Sequence, residues 1–240
     1  MTGTYINVAA ILVGCALGLL FGSRLSENLK NTVIAGMGLF TSAVGMQMFL
    51  KTENALIVLG ALIFGAILGE WWGVEDGLQR LGTWLEKRFS GSSEGESSKF
   101  VRGFLTATVL YCTGPMAVLG AISDGLRGDY LTLSIKSVLD GFISIAFAST
   151  LGIGVAFAAL PVFIYQGGIS LLASQLNAIV NTSMMNEMTA TGGVLLIGIG
   201  LSSLLEIKKI RVGNFLPSLV IAPAIVYFLN ALSWITKLIH

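Results

Sequence analysis

The chain has 240 residues, of which 54% are hydrophobic and only 11% charged, with a net charge of +1. Ordinary soluble domains are about 25% charged, so this composition belongs in a bilayer, and thirty glycines fit membrane helices. The near-neutral balance lacks the basic footprint of a nucleic-acid binder, and His240 is the sole histidine, so neither nucleic acid, metal nor cofactor is expected.

Residues 5–22 form the first apolar run, close to the ~20 residues that cross a hydrocarbon core. Leu12-Val-Gly-Cys15 has the form of a lipoprotein cleavage box. No Lys or Arg precedes it, however, and the run continues to Phe21, so an uncleaved helix is expected. A polar connection over 23–30 leads to a second span at 32–50, rich in small residues that allow close helix approach. After a tight turn at 51–54, Ala55–Trp72 is the third span. It ends at Gly69-Glu70, with Trp71 and Trp72 suited to the membrane interface. Val74–Phe89 places Val74, Leu78, Leu81 and Leu85 at helical spacing among charges, which predicts an amphipathic interfacial helix. Residues 91–98, all Gly, Ser and Glu, read as a flexible linker. The chain thus divides into a front helical part (1–73), the amphipathic helix and linker (74–99), and a back part (100–240).

The back part organises the rest. Residues 104–122 read as one span broken at Thr113-Gly114-Pro115, where proline removes a backbone donor and glycine permits unwinding. A polar turn over 124–129 follows. Residues 131–148 form a span carrying Lys136 and Asp140, four apart and therefore on one helix face. A run at 154–167 contains Pro161; whether 131–167 makes one span or two is open. Residues 169–185 are semi-polar and suggest a re-entrant or interfacial helix. Residues 190–205 are a glycine-rich span, 206–211 a basic turn, and 215–229 the last span, with Asn214 as its cap. This reads as an all-α, polytopic helical membrane protein of about eight spans with discontinuous helices. With the N-terminus outside, inner loops hold Arg24, Lys30, Arg80, Lys87, Arg88, Lys99, Arg102, Lys208, Lys209 and Arg211. The outer side holds only Lys51, Arg127 and Lys237, so the positive-inside rule favours N-out and C-out.

Residues 38–50 match residues 193–205 without a gap, aligning Gly38 with Gly193 and Gly45 with Gly200. In the expected topology the two run in opposite directions, the pattern of inverted repeats in transporters. Chance similarity between two glycine-rich helices explains the match about as well.

Charged groups within a membrane span are costly and generally face a cavity or a partner. Lys136 and Asp140 are therefore the leading solute- or ion-binding candidates, against the alternative of an ion pair that merely pins helices. Thr113 and Gly114 at the broken span, Asp124 beside the polar turn, Gln166 before Gly167-Gly168, and Glu70 complete the candidate set. Asn186 and Glu187 are able to line a cavity or to serve structure. No HExxH, GxSxG or phosphate-binding glycine loop is present, so no enzyme activity and no catalytic residue is expected.

Taken together, Gly69-Glu70, Tyr111-Cys-Thr-Gly-Pro-Met-Ala-Val-Leu-Gly120, Asp124-Gly-Leu, Lys136-Ser-Val-Leu-Asp-Gly141, Tyr165-Gln-Gly167 and Val212-Gly-Asn-Phe-Leu-Pro217 carry a resemblance. Over nearly its whole length the chain resembles the YqgA/YdfK-like bacterial inner-membrane proteins, a family of unknown function. The resemblance implies a multi-pass protein of the bacterial plasma membrane, of a kind often labelled a transporter, and supplies no binding residues. The resulting expectation is a secondary transporter or ion-coupled carrier of a small polar solute or ion. Its partners would be the lipid bilayer and that solute, with a homo-oligomer formed through small-residue faces. An oligomeric channel and a non-transporting membrane scaffold are the alternatives.

Overall fold

The structure, a computed structural model, describes residues 1–22, 26–89, 94–112 and 115–239. Among these residues all regular structure is helical: α1 (Thr2–Gly22), α2 (Glu27–Phe49), α3 (Ala55–Trp72), α4 (Val74–Phe89), α5 (Glu94–Cys112), α6 (Pro115–Arg127), α7 (Leu131–Leu151), α8 (Gly154–Phe157), α9 (Ala159–Leu171), α10 (Ala173–Ile179), α11 (Thr182–Ile199) and α12 (Ser218–Ile239). A π turn, Gly200–Leu204, extends α11, and a 3-10 turn, Val212–Phe215, precedes α12. Among the described residues, seven helical stretches are long and apolar enough to cross a membrane, and eight if the bent α5–α6 pair counts as one span.

Glycine sets which helices meet. Gly14, Gly18 and Gly22 recur every four residues on α1, and a Cβ at each would strike the α7 backbone at Gly141, Ile145 and Ser149 respectively. Because Gly3 faces Leu133 and Gly22 faces Ser149, α1 and α7 run parallel. In the same way Gly154 faces Phe100 and Gly125 faces Ser170, so α5–α6 runs parallel to α8–α9. The matched segments lie against each other: Gly45 meets Gly193 and Gly38 meets Gly200, so α2 and α11 are antiparallel. Gly65 against Ser218 and Gly69 against Asn214 make α3 antiparallel to α12. Since α2 and α3 reverse direction in turn, α7 can parallel α1 only if α5 and α6 together make one crossing.

Several boundaries differ from the sequence reading. Residues 131–167 form two helices, α7 and then α8–α9, because Gly152 turns the chain at φ 81°, a conformation that suits glycine. The proposed linker is helical from Glu94; residues 91–93 lie outside the described residues, as do 23–25 of the first polar connection. The polar turn begins later than expected, since Asp124 to Arg127 complete α6 and the reversal falls at Gly128, φ 69°. The span expected at 190 starts at Thr182, and it is the most buried of the spans. The expected break is present as a 61° bend between α5 and α6. Pro115 opens α6, where a missing N–H leaves no bond unmade. Thr113 and Gly114 lie outside the described residues.

Candidate functional site

Helix α7 places Lys136 one turn before Asp140, and the Lys136 ammonium donates to Asp140 Oδ2. Asp140 lies nine residues into this 21-residue helix, about 14 Å from its start and so near its middle. Only 6% of Lys136 and 5% of Asp140 is exposed. Burial on this scale removes hydration from both ions, and the mutual attraction offsets it only when further hydrogen bonds are in place. Asn7 of α1 supplies one: its Nδ2 donates to Asp140 Oδ2 at 3.0 Å and also to Gln166 Oε1 of α9 at 3.2 Å. The acceptor-only carboxylate fixes which end of the Asn7 amide faces it. The glycine ladder brings α1 close enough for Asn7 to reach.

Tyr111 of α5 closes another side. Its ring lies 5.8 Å from the Lys136 ammonium, within range of a cation–π attraction, and its hydroxyl pairs with Ser144 of α7 at 2.7 Å. Cys112, the last residue of α5, lies within electrostatic reach of Lys136 and Asp140. Lys136, Asp140 and Gln166 are therefore brought together, joined by Asn7, Tyr111 and Ser144, which the sequence reading did not single out. A lone asparagine inside an apolar run was the available signal for Asn7.

This network is incomplete. Asn7 Oδ1 and Gln166 Nε2 are buried with no hydrogen-bond partner, and both residues are 0% exposed. Thr4 Oγ1, one turn before Asn7, is also buried and unpartnered. An unmade hydrogen bond at a buried amide costs about 1–3 kcal/mol, so such atoms call for a guest. They offer it the N–H donors of Gln166 Nε2, the acceptor Asn7 Oδ1 and the Thr4 hydroxyl, which can donate or accept, beside a charge-balanced pair.

The remaining candidates lie elsewhere. Asp124 accepts from Gly3 N at 2.9 Å and pairs with the Met1 amino group at 3.1 Å, tying α6 to the start of α1. Glu70 is not brought to the ion pair. It belongs to a clamp in which Arg211 Nη1 donates to Glu70 at 2.7 Å, Arg211 Nη2 to Asp76 at 2.6 Å, and the Asn214 amide to Glu70. The hydrogen bond to Asp76 raises the Arg211 pKa above its ordinary value. Asn214 caps α4 rather than its own helix: its Oδ1 accepts from Glu75 N at 2.8 Å, while Glu75 accepts from Gly213 N at 2.7 Å. Glu187, 1% exposed, accepts from Thr52 Oγ1 and Glu53 N at 2.7 Å each and from Asn54 N at 2.9 Å, so it anchors the α2–α3 turn. Ser183 and Asn186 donate to Glu53, both at 2.7 Å, and hold its pKa below the ordinary carboxylate value. Among the described residues no group of three or more His, Cys, Asp or Glu is placed to hold a metal.

Seven to eight apolar spans among the described residues, with a buried polar cluster among them, make this a polytopic helical membrane protein. The family model described as "Protein of unknown function (DUF554)" matches residues 2–227, and the chain belongs to that family. It is 33% identical over 235 residues to the "Uncharacterized membrane protein YdfK" of Bacillus subtilis (strain 168), covering 96% of this chain and 98% of the relative. It is 31% identical over 221 residues to the "Uncharacterized protein YqgA" of Escherichia coli (strain K12), covering 92% and 94%. No solved structure matches the chain.

Proposed function

We propose that this protein is a secondary transporter or ion-coupled carrier of a small polar solute or ion, with Lys136, Asp140, Asn7 and Gln166 at its binding site. The observation that carries the reading is the occluded ion pair flanked by the unpartnered Asn7 Oδ1 and Gln166 Nε2. A structural pair gains nothing from leaving its neighbours' amides unsatisfied, whereas a binding site does. Enclosure of the pair favours a carrier over a pore, which needs a standing polar lumen.

The helix pairing, which matches what an inverted repeat would produce, supports the same reading. Pairing α1, α2 and α3 with α8–α9, α11 and α12 makes α2 against α11 and α3 against α12 self-paired and antiparallel. The parallel pair α1–α7 then corresponds to the parallel pair α8–α9 with α5–α6, running in the opposite direction. A two-fold axis in the membrane plane relates such halves, and transporters of this kind bind near the midplane at discontinuous helices. With basic loops inside, both termini lie outside the bacterial inner membrane. Uptake into proteoliposomes of a panel of amino acids, organic acids and inorganic ions, with and without sodium and proton gradients, tests the proposal. Gradient-dependent flux abolished by Asp140→Asn is the expected result; no flux and no binding across the panel overturns it.

A further inference from the structure

Arg102 Nη1 of α5 donates to Glu206 Oε1 at 2.5 Å, on the face where the basic loops gather. Two cavities adjoin this ion pair, and both residues line both of them. One, about 500 Å³, is walled by α4 and α5 and reaches Ser202 and Lys209. The other, about 410 Å³, lies between α2, α5 and α7 and reaches Asn31, Thr150 and Leu204. The ion pair thus stands between the two cavities and contributes to the wall of each.

Glu206 is held there under strain. Among the described residues it is the one non-glycine residue with positive φ, at 55°, and it follows the π turn Gly200–Leu204. Both features are uncommon and concentrate at functional positions. Glycine is the usual residue in such a left-handed helix exit, so a glutamate there serves its carboxylate rather than the backbone. With 67% of its side chain exposed, the pair is a weak closure, able to open.

Inward of it on the same face of α5, one turn beyond Arg102, lies Thr106 Oγ1, buried without any hydrogen-bond partner. Thr189 and Thr191 of α11, also buried, instead bond back to their own helix at 2.6 and 2.8 Å. Next along α5 comes Tyr111, bonded to Ser144 and facing Lys136.

We infer that Arg102 and Glu206 form the gate on the basic face of the translocation path, and that Thr106, one turn beyond Arg102 on the same face of α5, is a polar step between this gate and the Lys136–Asp140 site for water and a small polar solute. The inference rests on the carrier reading, but its test does not require the solute. Cys15 of α1 is the reporter: it is 1% exposed and packed beside Ser144. In a Cys112→Ala background, reconstituted protein is treated with a membrane-impermeant methanethiosulfonate from each face in turn. Glu206→Gln and Arg102→Gln should each raise Cys15 modification from the basic face by about fivefold, the shift expected when one exposed ion pair is lost. The charge reversal Arg102→Glu with Glu206→Arg should restore slow modification, which separates gating from misfolding. Unchanged rates, equal rises from both faces, or a reversal as fast as the single changes overturns the gate. Those results leave the carrier proposal standing, because it is judged separately by flux in Asp140→Asn.

Discussion

Replacing Lys136 and Asp140 singly and together separates a working ion pair from a merely structural one. Lys136→Met leaves the Asp140 carboxylate buried with only the Asn7 amide as partner, and Asp140→Asn leaves the ammonium without its counter-ion. Breaking one side of a buried pair costs about 3–5 kcal/mol. At about 2–4 °C per kcal/mol for a chain of this length, each unfolding midpoint should fall by roughly 6–20 °C. The double variant removes both charges, and neutral replacements of buried pairs are often nearly neutral, so most of that loss should return. The assay is a double-variant cycle of thermal unfolding in one detergent, run beside flux in liposomes. If the pair binds solute or coupling ion, stability returns in the double variant while flux stays absent. Recovery of both would mean that the pair only holds helices together. Single-variant losses under about 1 kcal/mol would mean that the ions are solvated, removing the basis of the site.

Other outcomes follow from single contacts. Gly18→Val should destabilise by about 1–3 kcal/mol in thermal unfolding, since its Cβ meets Ile145 O and lies 3.0 Å from Ala148 Cβ. Gly36→Ala, with nothing within 4 Å, should be neutral or stabilising by up to about 1 kcal/mol, and equal losses at the two sites would refute the ladder. Glu187→Ala strands the Glu53 and Asn54 amides and should cost about 1–3 kcal/mol, with faster hydrogen exchange confined to the α2–α3 turn. Glu53→Gln should lower the unfolding midpoint slightly at pH 7. Because the folded Glu53 pKa is depressed, its contribution is present above the unfolded value near ~4.3 and lost as pH falls through the folded one. The gap between the two proteins should therefore close in acid; a widening gap contradicts the assignment.

The spans were legible because apolar length is a local property, and Lys136 and Asp140 stood out because charge inside such a run is costly. Asn7 was not legible in the same way. A single amide costs less than a charge, and its meaning comes from a partner 133 residues away, reached only once α1 lies along α7. The ladder Gly14, Gly18, Gly22 that causes this approach was present at fixed spacing, but glycine is so common in this chain that the spacing did not stand out. Glu70 shows the reverse. An acid ending a span resembles a pathway group, until Arg211 and Asn214 arrive from 141 and 144 residues later to occupy it. Asn214 was read as a cap for its own helix because caps are usually local, yet the chain folds it onto α4.

Gln166 offers the sharpest distinction between binding and architecture. Its Oε1 accepts from Asn7 at 3.2 Å, a modest bond, while its Nε2 is buried without a partner. Gln166→Leu strands one Asn7 N–H, a cost of about 1–3 kcal/mol, and abolishes the open Nε2 donor, a liability of about the same size, so the two roughly offset. Leucine nearly preserves the volume, so folding stability should stay within about 1 kcal/mol of the parent or rise. A group placed for architecture does not behave this way, because its removal must cost the fold something. If Nε2 instead serves the solute, the variant loses solute binding and flux while unfolding at the parent's temperature. A fall of more than about 3 kcal/mol would show that Nε2 has a fixed structural partner, such as an internal water, and that the open donor is not a binding group.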